Sequence, residues 1–377
     1  MEFSIPKKDF LKVLGMIQTL VERRSTIPIL SNTLIQADET GITLTATDLE
    51  TATRAYSAAL VKVPGDVSLS ARKLFEVVRE LPDSEVHLKK QDNNWLTLTC
   101  EKSVFHIAGI NPEEFPPLPR FKDEDFHPFS ASELAEMIER TVFASSTEES
   151  RYNLNGVFFE VLTIDNQKSI RMVATDGHRL SLIDGPGSAF PDLDKGVIIP
   201  RKGLLEIKKL LTDGGSKQNE EADLVYLAIS ENNFVAKRDK TIVLTRLIEG
   251  DFPDYQSVIP RENDKKIRIS REGFSACLKR ISTMTSEKGE GIVFEIQKGS
   301  MAVSSSSHDF GDAREDMEVD YAGEELVVGF NGRYVLDALA VMGTEELSFE
   351  LKDNATAGVL RPVGEEAYLF LVMPMKL

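Results

Sequence analysis

The chain has 377 residues, a net charge of −17, 41% hydrophobic residues and 28% charged residues. It is too long for one core of ordinary size and too apolar to be disordered. No apolar run reaches the roughly 18 to 20 residues that cross a bilayer, and the first residues lack the apolar stretch of a secretory signal, so we expect a cytoplasmic protein.

Six segments carry apolar residues at helical spacing and predict amphipathic helices. They are residues 7–24, 70–81, 131–142, 200–212, 270–284 and 331–342. Ser130, Ser132 and Ser270 stand where N-caps are expected. Between the helices, runs that alternate apolar and polar residues predict antiparallel strands, beginning with Leu30 to Ala37 and Gly41 to Ala46.

The sequence repeats itself at domain-sized intervals. GITLTATDLETATR begins at Gly41 and SIRMVATDGHRLSL begins at Ser169, which makes Asp48 and Asp176 equivalent. Three predicted helices open on a basic residue at matching places: Arg72, Arg201 and Arg333. We therefore predict three similar domains, at 1–121, 129–252 and 253–377, each an α+β unit of two helices packed on antiparallel sheets.

The seams between copies and the charge distribution support this division. EEFPPLP around Phe115 and GDFPDYQSVIP around Phe252 mark the ends of copies one and two. Lys and Arg outnumber Asp and Glu over the six predicted helices, although the whole chain is acidic. If these helices share a face, a basic surface suited to nucleic acid lies inside an acidic shell. The alternative is that the charged helix faces are merely solvated.

Nothing in the sequence supplies convincing catalytic chemistry. Cys100 and Cys277 lie in different copies and favour a reducing compartment, and the five histidines lack metal-site spacing, so we expect no metal and no cofactor. No phosphate-binding loop, nucleophile elbow or zinc-protease motif occurs. The best candidate is TDGHR, where Asp176, His178 and Arg179 suit either an active site or a docking site for a partner. TDLET of copy one lacks the histidine, and we expect no enzyme activity.

Seven segments carry a resemblance to a known family: RSTIPIL, RYNLNG, ATDGHRLSL, IPRKG, FPDYQSVIP, FNGRYVLDAL and the terminal VMPMKL. Together they resemble the bacterial β sliding clamp, the processivity subunit of the replicative DNA polymerase. The resemblance implies a DNA clamp fold that closes as a head-to-tail dimeric ring around duplex DNA. It also implies that short linear peptides tether polymerase subunits, repair proteins and an ATP-driven clamp loader to the ring.

The resemblance further implies DNA contacts without sequence reading. The matching residues are Arg24, Arg72, Lys73, Tyr152, Arg201 and Lys202. Asn153 and Glu148 depart from the family pattern in the loop before Leu154.

A partner-peptide cleft between copies two and three is implied in the same way. Its residues match Leu154, Thr175, Gly177, His178, Arg179, Leu180, Pro253, Val258, Asn331, Tyr334, Leu371, Val372, Met373, Pro374 and Met375. An apolar groove with a methionine rim suits a short peptide with bulky apolar side chains. Met373 and Met375 suit core filling at a chain end as an alternative, and Ser257 and Gly289 depart from the family pattern.

At the dimer seam the resemblance places Phe105 and Ile107 of one protomer against Thr283 and Met284 of the other, with Lys73 and Glu315 nearby. The alternative function is a non-catalytic peptide-binding scaffold of the same fold that no longer encircles DNA.

Overall fold

The computed structural model describes residues 1–21, 27–119, 121–122, 125–187, 190–212, 223–285 and 291–376. The chain folds into two compact units. The first comprises Met1–Ala135 and Lys202–Leu247, and the second comprises Glu136–Arg201 and Ile248–Leu377. The first unit therefore combines copy one with part of copy two, and the second unit combines the rest of copy two with copy three.

All six predicted helices are present. They are α1 (Lys7–Gln18), α2 (Ala71–Glu80), α3 (Ala131–Thr141), α4 (Arg201–Thr212), α5 (Arg271–Ile281) and α6 (Gly332–Val341). Ser130 and Ser270 act as the predicted N-caps, since their hydroxyls accept from the amides of Glu133 at 3.2 Å and Gly273 at 3.3 Å. The other predicted cap, Ser132, lies inside α3 and donates its hydroxyl to Asp223 at 2.7 Å.

Three predicted boundaries were wrong. The helix predicted over residues 270–284 ends at Ile281 and is followed by a 3-10 turn, Ser282–Met284. α1 ends at Gln18, where the prediction extended to residue 24. The next residue, Thr19, is β-branched and accepts from Lys209 Nζ at 2.7 Å, and the Leu20 amide turns back to the Ile17 carbonyl at 3.2 Å. Likewise, Leu30 lies in a 3-10 turn that spans Pro28–Ser31, because proline fixes the first position of that turn.

The first unit contains two antiparallel sheets. The nine-stranded sheet has the order β10 (Gly109–Ile110), β6 (Gly65–Ser70), β2 (Asn32–Asp38), β3 (Gly41–Thr47), β4 (Thr51–Ser57), β18 (Thr241–Arg246), β17 (Asn233–Arg238), β16 (Leu224–Ser230) and β11 (His127–Ser130). The five-stranded sheet has the order β5 (Leu60–Val63), β1 (Glu2–Pro6), β7 (Glu85–Lys90), β8 (Leu96–Cys100) and β9 (Ser103–Ile107). Copies one and two join where β4 pairs with β18, with Ala52 opposite Leu244.

The second unit also contains two antiparallel sheets. The eight-stranded sheet has the order β15 (Val197–Pro200), β12 (Gly156–Ile164), β13 (Gln167–Thr175), β14 (Arg179–Pro186), β26 (Tyr368–Val372), β25 (Gly358–Pro362), β24 (Glu346–Leu351) and β19 (Lys265–Ser270). The four-stranded sheet has the order β22 (Gly311–Glu318), β21 (Ser300–Ser307), β20 (Ile292–Gln297) and β23 (Leu326–Phe330). Copies two and three join where β14 pairs with β26, with Leu180 opposite Leu371.

The strand orders confirm the threefold repeat and the α+β fold. The row β6-β2-β3-β4 recurs as β15-β12-β13-β14 and as β23-β20-β21-β22. The row β9-β8-β7-β1 recurs as β18-β17-β16-β11 and as β26-β25-β24-β19. Each junction inside the chain joins the first row of one copy to the second row of the next. Among the described strands, β9 and β22 are the two that hold the junction position of a row without a neighbouring row beside them.

Cys100 and Cys277 are buried free thiols, and burial raises the pKa of Cys277 to about 11. No helix within the described ranges is both long and apolar enough to cross a membrane.

Candidate functional site

The TDGHR turn has the same hydrogen bonds as the TDLET turn of copy one. Oδ1 of Asp176 accepts from the amides of His178 and Arg179 at 2.9 and 3.0 Å. Oδ1 of Asp48 accepts from the amides two and three residues ahead at 3.0 and 2.6 Å. In both turns the preceding threonine hydroxyl donates to a carbonyl four residues ahead. The predicted equivalence of Asp48 and Asp176 is confirmed, and both carboxylates serve to build a turn.

Arg179 forms a dense cluster beside this turn. Its guanidinium donates to Asp176 at 3.0 Å, to Asp337 at 2.6 Å and to the Phe143 carbonyl at 2.8 Å. The guanidinium carbon also lies 4.4 Å from the ring centre of Tyr334. Burial raises the pKa of the Tyr334 phenol. Arg179 therefore fixes β14 to α6 and to the segment that follows α3.

A cavity of about 870 Å³ opens beside this cluster. Four of the predicted cleft residues line it: His178, Arg179, Asn331 and Tyr334. Asn331 is also the N-cap of α6, since its side chain accepts from the Arg333 amide at 3.0 Å. The cavity carries charges of both signs, from Asp176 and Asp337 and from Arg201 and Arg333. It offers polar contacts to a bound segment.

The opposite face of the same strand pair is apolar. Leu180 and Leu371, which face each other across β14 and β26, are buried with Tyr255, Val359 and other residues in one cluster. Their neighbours Arg179 and Val372 also face each other, and they lie on the other face because side chains alternate along a strand. The structure thus gathers predicted cleft residues around one strand pair.

Exposed apolar side chains lie close in the chain to members of this cluster. Val258, the last residue of a 3-10 turn spanning Tyr255–Val258, is 50% exposed. Met373 is 41% exposed and its amide donates to the His178 carbonyl at 2.9 Å. Core filling is therefore the wrong interpretation of Met373. Exposed apolar groups beside a buried apolar cluster are typical of a peptide-docking surface.

The other predicted cleft residues are distributed as follows. Leu154 and Val372 are buried, Thr175, Pro374 and Met375 are partly buried, and Pro253 is exposed. Gly177 has a φ of +88°, which glycine adopts without strain, whereas Leu49 holds the same place in the turn of copy one at +79°. Ser257 is exposed and donates to the Asp254 carbonyl at 2.8 Å. Gly289 lies outside the described residues.

The predicted DNA-facing residues differ in their surroundings. Arg72 and Lys73 on α2 are exposed and pair with Glu76 at 3.3 and 2.7 Å. Such exposed pairs are weak and exchange readily for a phosphate. Tyr152 is 55% exposed. Arg24 lies outside the described residues.

Arg201 is not the counterpart of Arg72 and Arg333 that its spacing suggested. It is the first residue of α4, whereas Arg72 and Arg333 are the second residues of α2 and α6, a place that Lys202 holds in α4. The Arg201 guanidinium donates to the Val142 carbonyl at 2.5 Å and to Ser145 Oγ at 3.1 Å. Burial and the neighbouring Arg179 lower its pKa. Lys202 forms an ion pair with Asp48.

The predicted seam residues lie on or near β9 and β22. Phe105 on β9 is 37% exposed, while Ile107 is buried. Thr283 is exposed and donates to the Arg280 carbonyl at 2.7 Å, and Met284 is partly buried. Arg280 in turn holds Glu315 of β22 through two bonds of 2.8 and 2.5 Å.

A charged ladder under the cleft is a feature that sequence reasoning missed. Glu160, Arg171 and Asp184 are cross-strand neighbours on β12, β13 and β14. Arg171 donates to both oxygens of Asp184 at 2.7 and 2.8 Å. The Tyr255 hydroxyl donates to Glu160 and accepts from Arg171 at 3.3 Å. The only sequence signal was the tyrosine in FPDYQSVIP. Among the described residues, no group of three or more potential ligands from His, Cys, Asp and Glu is placed to hold a metal.

Continuous antiparallel sheets, a threefold repeat and paired helices define a DNA clamp fold. Three family models match: DNA polymerase III beta subunit, N-terminal domain at residues 1–119, central domain at 129–254 and C-terminal domain at 256–376. The chain is 32% identical over 378 residues to the beta sliding clamp of Caulobacter vibrioides and 30% identical over 380 residues to that of Escherichia coli, with all of each chain covered. A solved DnaN sliding clamp from Bartonella birtlesii, bound to griselimycin, superposes with a TM-score of 0.92 at 32% identity, with both chains fully covered.

The chain belongs to the beta sliding clamp family, the beta subunit of DNA polymerase III. It functions as a sliding clamp in DNA replication. Members of this family are non-catalytic processivity factors that bind DNA and polymerase partners.

Proposed function

We propose that two copies of this chain close head to tail around duplex DNA. The observation that supports the proposal is that β9 and β22 hold the junction position of their rows and have no neighbouring row. Inside the chain, β4 pairs with β18 and β14 pairs with β26. By the same repeat, β22 is the counterpart of β4 and β14, and β9 is the counterpart of β18 and β26. A second copy therefore supplies the strand that each end needs, which also covers two edges that would otherwise invite aggregation.

The repeat also gives the register of this seam. Leu244 lies opposite Ala52 in the first junction. The strand registers make His106 on β9 equivalent to Leu244, and Asp312 on β22 equivalent to Ala52, so His106 of one copy should lie opposite Asp312 of the other. Phe105 then lies opposite Ala313, and Ile107 lies near the exposed Phe310. Histidine opposite aspartate adds a favourable charge pair when the imidazole is protonated.

We propose that the DNA-facing side of the ring is formed by the helices, with Arg24, Arg72, Lys73, Tyr152, Arg201 and Lys202 near the duplex. Exposed lysine and arginine pairs favour weak phosphate contacts that read no sequence. Arg201 contributes mainly through the backbone that it holds, since its guanidinium already has two partners. A net acidic chain suits this role, because encirclement replaces a tight grip and a loose grip permits sliding.

We propose that the cleft around β14 and β26 binds short linear peptides of polymerase subunits, repair proteins and the clamp loader. The buried apolar cluster with Leu180 and Leu371, the exposed Val258 and Met373, and the neighbouring polar cavity support this role. The Bartonella birtlesii relative was solved with griselimycin bound, and we propose this compound as a probe of the cleft in the present chain.

The remaining assignments are proposals of the same kind. The domains extend over 1–121, 129–252 and 253–377, in keeping with the family-model matches and the repeat. We propose that the chain is not an enzyme, in keeping with its family, and that Asp176 serves in turn formation and in an ion pair with Arg179. It acts in the cytoplasm, where bacterial chromosomal DNA is replicated.

Cysteine cross-linking tests the ring. The double variant His106→Cys, Asp312→Cys should give a covalent dimer on mild oxidation, because the repeat places these residues opposite each other. The matched control is His106→Cys, Ala313→Cys, since a shift of one residue turns the two side chains to opposite faces of the sheet. Cys100 and Cys277 are buried and do not interfere. Equal cross-linking of both pairs, or of neither, contradicts the proposed seam.

A further inference from the structure

The segment that carries Val258 is attached to the sheet at two points. Phe252 stacks on Phe158, with ring centres 5.0 Å apart and planes 7° from parallel. Three residues later, Tyr255 is buried and its hydroxyl reaches Glu160 and Arg171 of the charged ladder. The 3-10 turn to Val258 starts at this second attachment.

The equivalent segment of copy one lacks the second attachment. Leu118, the counterpart of Tyr255, packs on the apolar cluster of Ala52 and Leu244 and has no hydroxyl. The ladder positions are also uncharged there, since Gln36, Thr43 and Tyr56 lie side by side on β2, β3 and β4. The tyrosine and its charged partners therefore occur together, and at the junction that carries the partner cleft.

The ladder is built to hold a hydroxyl in one place. Arg171 is fixed by two bonds to Asp184, and this pairing raises the pKa of the Arg171 guanidinium. Burial raises the pKa of the Tyr255 phenol, so the hydroxyl keeps its proton and donates to Glu160 at neutral pH. Hydrogen bonds to charged groups are the stronger kind, and a buried one left unmade is costly. Such an anchor restricts the turn that begins at Tyr255 more tightly than an apolar contact does.

We propose that Tyr255 is a positioning residue for partner binding. Its hydroxyl, held by Glu160 and Arg171, fixes the 3-10 turn so that Val258 stands at the border of the cleft. The role rests on the proposed peptide cleft, and it adds a residue that need not touch the peptide at all.

The test compares griselimycin affinity of the full-length dimer with and without the hydroxyl. Tyr255→Phe keeps the aromatic side chain and removes its hydrogen bonds to Glu160 and Arg171. We expect griselimycin affinity to fall about two- to tenfold, the range of one hydrogen bond. In a Val258→Ala background, Tyr255→Phe should reduce griselimycin affinity clearly less, because the side chain that Tyr255 positions has been removed.

Tyr321→Phe is the matched control. Tyr321 is as buried as Tyr255 and donates to the Glu324 carbonyl at 2.7 Å, but it belongs to a loop with no predicted cleft residue. We expect it to lower the melting temperature without weakening griselimycin binding. The proposal is overturned if Tyr255→Phe likewise lowers only the melting temperature, or if its effect on affinity is unchanged by Val258→Ala. Failure of the unmodified protein to bind griselimycin would instead overturn the proposed cleft as well.

Discussion

The two junctions inside this chain share a scaffold and differ in what covers it. At both, a hairpin strand of one copy pairs with the last strand of the next copy, and an aspartate closes the neighbouring turn. At the first junction, Leu118 and Phe121 of the connecting segment pack over the apolar cluster. At the second junction Val258, three residues after Tyr255, is half exposed. The second junction therefore keeps an apolar edge available to a partner, whereas the first covers its own.

The difference also extends to the polar face. The first junction carries Thr51 opposite Thr245, joined by a single bond of 3.1 Å between their hydroxyls. The second carries Arg179 opposite Val372, with Asp176, Asp337 and Tyr334 around the guanidinium. The same repeated strand pairing therefore carries two neutral hydroxyls at the first junction and a charged cluster at the second.

The largest effect is expected at the proposed third junction, between two copies of the chain. Phe105→Arg places a charge on β9 at the proposed seam, and we expect the dimer dissociation constant to rise more than about a hundredfold, as for an aromatic hot-spot residue. Sedimentation equilibrium measures it. Leu60→Arg is the control, because Leu60 is 65% exposed on β5, the opposite edge of the same sheet. A Phe105→Arg dimer as stable as the Leu60→Arg dimer would show that β9 does not form the seam.

Arg179→Ala is expected to give the next largest effect. It leaves Asp337 and the Phe143 carbonyl without their partner at a partly buried site, and we expect a loss of about 1.5 to 3 kcal/mol, the range of hydrogen bonds to charged groups. Denaturant unfolding measures the change. The counterpart Thr51→Ala should cost only about 1 kcal/mol, the value of one neutral hydrogen bond. Equal losses at the two sites would remove the distinction between the junctions.

Val258→Phe sharpens the comparison at the cleft itself. A phenyl group at Val258 should cover the apolar edge as Phe121 does in the first junction, and we expect griselimycin affinity to fall at least about tenfold, or 1.4 kcal/mol. Isothermal calorimetry measures this. Phe121→Val is the mirror variant, which should lower stability and leave griselimycin affinity unchanged. Unaltered binding by Val258→Phe would place the ligand elsewhere.

The smallest effect concerns the basic residues that open the helices. Arg201→Ala should lower the melting temperature, because its guanidinium holds Val142 and Ser145. Arg72→Ala should leave melting unchanged and reduce the salt dependence of DNA binding by about one phosphate contact. Salt titration of DNA affinity separates the two. If Arg201→Ala behaves like Arg72→Ala, the structural role of Arg201 is wrong.

The sequence predicted the repeated features well, because each rests on local physics. Helical spacing and serine caps located α2 to α6 closely, and Asp48 and Asp176 were aligned by their shared turn. The end of α1 was missed because it depends on Thr19 contacting Lys209 from a distant segment. The offset of Arg201 was missed because spacing alone does not reveal which residue begins a helix. The Glu160–Arg171–Asp184 ladder requires the strand register, which no local pattern contains.

The most direct test of the central claim is retention on circular DNA. The protein is loaded onto a nicked circle with a matching clamp loader and ATP, and the retained fraction is measured before and after one cut linearises the circle. We predict that the cut releases the protein, because a closed ring slides off a free end. Retention that is unchanged by the cut would mean a direct grip on DNA and would contradict the encircling dimer.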